Sequence, residues 1–133
     1  MERTPPLSPS NGTRMIDSLG TVLVAVMLLA GSGVAWMGSR HLLKMRELLA
    51  EMGDDALPLA FKFLTEVQSY HGLDVCILVF FVAGLLALVL IRDRLRANFY
   101  GGLVAVLLVA TGGVFYFTAM TPLVQLMNWL NEG

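Results

Sequence analysis

Residues 18–38, 75–91 and 99–120 contain no charged side chain. As a helix, the first run, "SLGTVLVAVMLLAGSGVAWMG", is about 31 Å long, which matches a bilayer core. The second, "VCILVFFVAGLLALVLI", lies between Asp74 and Arg92 and reaches full length with interfacial Leu73, giving a span over 73–91. The third, "FYGGLVAVLLVATGGVFYFTAM", has Phe99 and Tyr100 at one end and Phe115, Tyr116 and Phe117 near the other, where rings suit the two membrane interfaces. A cleaved signal peptide competes for the first run. However, the run exceeds a usual signal core of about 7–15 residues, and "AWMGSR" is a poor cleavage site.

The remaining composition agrees with a polytopic membrane protein. Charged residues make up 14% against 56% hydrophobic, and the charges gather between the runs. A soluble domain usually carries about 25% charged residues. The net charge of −1 gives no reason to expect a nucleic-acid partner. The single cysteine, Cys76, excludes an internal disulfide and reads as a small buried or lipid-facing thiol. Residues 1–14, "MERTPPLSPSNGTR", cannot bury a core and read as a disordered tail. Its Asn11 triplet fits a glycosylation sequon, a pattern common by chance, and Met15 is an alternative start.

Between the first two spans, residues 39–72 read as an amphipathic helical hairpin. "RHLLKMRELLAEM" has helical periodicity and ends at Gly53. Asp54 and Asp55 can cap the next helix, and Pro58 suits its first turn. That helix, residues 59–70, places Phe63 on its apolar stripe and Phe61 off it, free to touch lipid or a partner. Such a hairpin either rests on lipid or docks another protein. In the docking case Leu57 and Pro58 set the angle between its arms and Phe63 provides contact.

The density of arginine in "RDRLR" places Arg92, Arg94 and Arg96, with Arg3 and Arg14, on the cytoplasmic side. Arg40, Lys44, Arg46 and Lys62 of the hairpin then lie outside, as does the carboxyl end, which has no basic residue. The fold expected is therefore an all-α membrane protein: three transmembrane helices over about 18–38, 73–91 and 99–120, with an extracytoplasmic hairpin between the first two.

Small residues at four-residue spacing let membrane helices approach closely. Gly31 and Ala35 have this spacing in the first span, Ala83 and Ala87 (beside Gly84) in the second, and Gly101 and Ala105, with Gly112 further along, in the third. A packed bundle or a homo-oligomer is expected.

The chain resembles the F family, the inner-membrane platform proteins of bacterial type II secretion and type IV pilus machines. The likeness is carried by "LLAEMGDDALPLAFKFLTEVQSYHG", with Met52-Gly53 and Leu57-Pro58 at the turn, and by "AMTPLVQLMNWL", with Pro122, Gln125 and Asn128. It implies the same topology and a bacterial inner-membrane location. The family also carries cytoplasmic helical bundles that would meet the motor and pilin-like subunits. This chain has only its tail and "RDRLRANF" in their places. The resemblance therefore implies a reduced scaffold or accessory subunit, with lipids and other membrane subunits as partners. The alternatives are a holin-like pore-former and an accessory subunit of a transporter or respiratory complex.

No constellation for catalysis, cofactor or metal is expected. His41 and His71 read as interfacial polar residues and not as ligands. Asp54 and Asp55 read as caps, and "YGG" and "TGG" lack the lysine and strand of a phosphate loop.

Overall fold

The structure, a computed structural model, describes residues 10–53 and 57–133. Four α-helices make up most of it: α1 (Asn11–Leu49), α2 (Leu59–Ser69), α3 (Gly72–Leu90) and α4 (Arg94–Glu132), with a 3-10 turn over Ala50–Met52 after α1. No strand occurs among the described residues. The helices α1, α3 and α4 are each long and apolar enough to cross a membrane.

The element ends follow from local chemistry. Ser10 caps α1, its side chain accepting from the Thr13 N–H while the Thr13 hydroxyl donates to the Ser10 carbonyl at 2.7 Å. The helix therefore starts at Asn11, inside the stretch expected to be a disordered tail, because a cap and a following apolar helix can order a turn that buries nothing. The part of that tail over residues 1–9 lies outside the described residues. Asp93 caps α4 in the same way, accepting from the Leu95 N–H at 3.1 Å. Gly53 has φ +83°, a region open to glycine and strained for other residues. Pro58 occupies the N-cap position of α2 and not its first turn. Asp54 and Asp55, expected as caps, lie outside the described residues.

Two long helices extend well beyond the expected spans. α1 and α4 have 39 residues each, about 58 Å at helical rise. No break separates the first span from the stretch read as the first arm of a hairpin. α1 runs through Gly38 and Ser39 to Leu49 because no proline interrupts it and Gly38 packs against α4. The expected hairpin is thus the distal part of α1 followed by α2. α4 likewise runs past residue 120 and through Pro122, which is fully buried. Proline lacks the N–H that would bond the Thr118 carbonyl, and a packed helix partner lets the helix tolerate that loss.

Specific contacts fix the directions. Thr21 meets Asn98, Gly31 meets Ala105 and Leu108, and Gly38 meets Gly112 and Phe115. α1 and α4 are therefore parallel. Ser39 meets Asp74, and Leu28 meets Gly84, so α3 is antiparallel to α1. The amino ends of α1 and α4 share one end of the bundle. α2, which packs against all three other helices, lies at the other.

The α1–α4 seam is built on a seven-residue step. Leu28, Ala35, Leu42 and Leu49 are buried along α1, with Gly31 and Gly38 between them. Gly101, Leu108, Phe115 and Pro122 are buried along α4, with Ala105, Gly112 and Ala119 between them. This spacing keeps two helices in continuous contact. The backbones nearly touch: a Cβ at Gly112 would stand 2.9 Å from the Ala35 nitrogen, and one at Gly38 would stand 2.9 Å from the Gly112 carbonyl oxygen. Large apolar side chains such as Leu23, Val26, Val79, Val106 and Phe117 point outward, as a lipid-facing surface requires.

α3 is attached differently from the expected Ala83 and Ala87 stripe. Ala83 is exposed and Ala87 only half-buried. The buried line is Leu73, Ile77, Gly84 and Leu88, one residue further round the helix. It is selected because the Leu28 side chain fills the space at Gly84.

Candidate functional site

The buried polar residues of the described chain, Ser39, Thr65 and Gln68, gather where α1, α2 and α3 meet. Ser39 is fully buried on α1. Its hydroxyl has one proton and lies 2.8 Å from the Trp36 carbonyl and 3.1 Å from Asp74 Oδ1. Asp74 is in the first turn of α3, where a carboxylate suits the helix N-terminus. Its other oxygen lies 3.8 Å from Arg40 Nη2 and 3.4 Å from His71 Nδ1. His71 adopts a left-handed backbone, φ +58°, which turns the chain sharply from α2 into α3. One acid therefore ties α1 to α3 at the level where the chain turns.

The arrangement does not have the order of a serine–histidine–aspartate triad. In a serine–histidine–aspartate triad the histidine stands between the serine and the acid. Here Asp74 stands between Ser39 and His71, and the Ser39 proton is directed to acceptors within the chain. The two histidines do not converge either. His41 stacks on Tyr116, with ring centroids 5.4 Å apart, and His71 faces Asp74. Among the described residues no group of three or more potential ligands could hold a metal ion.

α2 completes the site. Phe61, Thr65 and Gln68 face inward and are buried. The Thr65 hydroxyl is satisfied by the Phe61 and Lys62 carbonyls at 2.9 and 3.0 Å. Gln68 lies near Asp74, but neither of its side-chain polar atoms closes a hydrogen bond. An orphaned buried amide costs about 1–3 kcal/mol, which the fully buried Phe61 ring helps to offset. The outward face carries Leu59, Phe63 and Tyr70, exposed at 84%, 64% and 81%.

This corrects the expectation for Phe61: instead of touching lipid or a partner from off the apolar stripe, it is the buried anchor of α2, and Phe63 is the exposed ring. Next to a membrane an apolar face can turn outward, while Thr65 bonds within its own helix and Gln68 is buried beside Asp74. Leu57 and Pro58 are half-buried where the chain enters α2.

The remaining sequence-selected residues divide by helix. Gly31, Ala35, Gly101, Ala105, Gly112 and Pro122 all lie in the α1–α4 seam and are buried. Gln125 and Asn128 are exposed on the distal part of α4, alongside exposed Val124, Met127, Trp129 and Leu130. Sequence reasoning missed Ser39, Gln68 and Asp74 as a group. The available signals were an acid placed directly before an apolar run and the spacing of Phe61, Thr65 and Gln68 on one helical face.

No family model matches the chain, and no curated protein or solved structure matches it.

Proposed function

We propose that the chain is a small, non-enzymatic scaffold or accessory subunit of a membrane complex, and that the outward face of α2 is where it meets another subunit. The observation that carries this reading is the orientation of α2. Its polar Thr65 and Gln68 are turned in, and Leu59, Phe63 and Tyr70 are left out beside the projecting end of α1. The fully buried Phe61 ring fixes the rotation of α2, so that Leu59, Phe63 and Tyr70 are presented at one angle, as the anchors of a docking helix must be.

The resemblance to the F-family platform proteins suggests the setting: a secretion or pilus-type assembly in a bacterial inner membrane, with α2 and the carboxyl end outside. The exposed Val124, Met127, Trp129 and Leu130 on α4 would extend the contact surface on the same end of the molecule.

The test is photocrosslinking in native membranes, with a photoreactive residue at Phe63 and, as a control, at Val89 on lipid-facing α3. The reading expects a discrete protein adduct at 63, little at 89, and about a ten-fold weaker adduct in a Tyr70→Ala background, since burying a large ring is worth roughly 1.5–3 kcal/mol. Lipid adducts alone at both positions would reject it.

A further inference from the structure

At the opposite end of the bundle the first turns of α1 and α4 enclose a second polar site. The two helices are held together there by the Thr21 hydroxyl, which lies 3.0 Å from the Asp17 carbonyl and 3.1 Å from Asn98 Oδ1. A pocket of about 330 Å³ opens beside this contact, lined by Arg14, Asp17, Ser18, Thr21, Val22 and Arg94. Arg94 is positioned by a hydrogen bond from Nη1 to the Leu88 carbonyl at 3.3 Å, and its other donors make no bond among the described residues. Neither Arg14 nor Arg94 is in an ion pair among the described residues, whereas nearby Arg96 pairs with Asp93 at 3.4 Å.

We propose that this pocket binds the head group of a phospholipid carrying one net negative charge, a phosphatidylglycerol-like phosphodiester. The lining carries two guanidinium groups and one carboxylate, so the pocket has a net charge of about +1 and matches a single phosphate. The Asp17 carboxylate has no donor for the phosphate oxygens but can accept a hydrogen bond from a head-group hydroxyl. The Ser18 hydroxyl offers a further donor. From Val22 at the pocket's edge, exposed Leu19 and Val26 continue the apolar face of α1, where acyl chains would lie. This surface is separate from α2 and from the proposed docking face.

The experiment uses the full chain purified in mild detergent, exposed to equimolar phosphatidylglycerol, phosphatidylethanolamine and phosphatidylcholine, and read by native mass spectrometry. Phosphatidylglycerol is expected to be retained preferentially. Arg14→Gln should lower that retention about five-fold and the Arg14→Gln, Arg94→Gln pair about ten-fold or more, at roughly 1 kcal/mol per arginine. Arg92→Gln, exposed and outside the pocket, should leave it unchanged. Arg14 makes no ion pair among the described residues, so its single variant reports on binding even if the pair unfolds. Equal retention of the three lipids, an equal loss for Arg92→Gln, or displacement by millimolar inorganic phosphate would each overturn the proposal, the last by assigning the pocket to a free anion.

Discussion

The α1–α4 seam and the α2 junction both depart from a core filled by large apolar residues, but for different reasons. In the seam, glycine and alanine are buried between Leu28, Leu42, Leu49, Leu108 and Phe115, while most other large apolar side chains of the two helices face outward. In a bilayer, burying leucine against protein gains little over burying it in lipid, so close backbone packing decides the contact. At the junction, threonine and glutamine are buried and Phe63 faces outward. There the Ser39–Asp74 hydrogen bond joins α1 to α3, and one anchoring ring, Phe61, seats α2. The seam should therefore be sensitive to added volume, and the junction to removed groups.

The largest effect expected is at Gly112. Gly112→Leu must drive atoms into the Val34 and Ala35 backbone. That should cost about 3 kcal/mol or more, seen as a large fall in thermal stability in mild detergent. Gly113→Leu is the control, because a Cβ there meets nothing within 4 Å. Equal losses for both would mean that the seam is set by composition and not by contact.

Removal of the acid at the junction should come next. Asp74→Leu strips an acceptor from buried Ser39 and an anion from Arg40. The expected cost is about 2 kcal/mol, with Asp74→Asn distinctly milder because an amide oxygen can still accept from Ser39. If the leucine variant is as stable as the parent in the same melt, the polar junction does not hold α1 to α3.

Gly84→Ala should cost less than any bulky change at Gly112, about 1 kcal/mol. Its close neighbour is the end of the Leu28 side chain, which can rotate away, and not backbone. Thr21→Val should be smallest, about 0.6 kcal/mol, since it removes one hydroxyl shared between Asp17 and Asn98. A thermal shift for Thr21→Val larger than that for Gly84→Ala would place more of the stability in polar contacts than the comparison allows.

The spans were legible because absence of charge over bilayer length is a strong, one-dimensional signal. The seam was half legible. Small residues at four-residue spacing marked Gly31, Ala35, Gly101, Ala105 and Gly112, but the seven-residue step through Leu28, Leu42, Leu108 and Phe115 was present in the sequence and not used. Ala83 misled because two adjacent helical faces of α3 both carry small residues, and only the position of Leu28 selects Gly84. The continuity of α1 was hidden by the change from apolar to charged composition near Arg40, which marks a change of surroundings and not a change of backbone. The burial of Phe61 could not be read from periodicity. The direction of an amphipathic face depends on whether water, lipid or protein surrounds it, and α1 and α4, against which α2 packs, are distant from it in sequence.

The central claim is that α1 is one continuous helix, parallel to α4 and antiparallel to α3, with the polar junction and α2 at the end away from Arg94. Paired cysteines in a Cys76→Ala background test it directly. Thr21→Cys with Asn98→Cys, and Ser39→Cys with Asp74→Cys, should each form an intramolecular disulfide under mild oxidation in membranes, because the native side chains meet at 3.1 Å in both pairs. The exchanged pairs, Thr21→Cys with Asp74→Cys and Ser39→Cys with Asn98→Cys, should not. Crosslinking in the exchanged pairs, with none in the native ones, would contradict the helix directions and with them the position of α2.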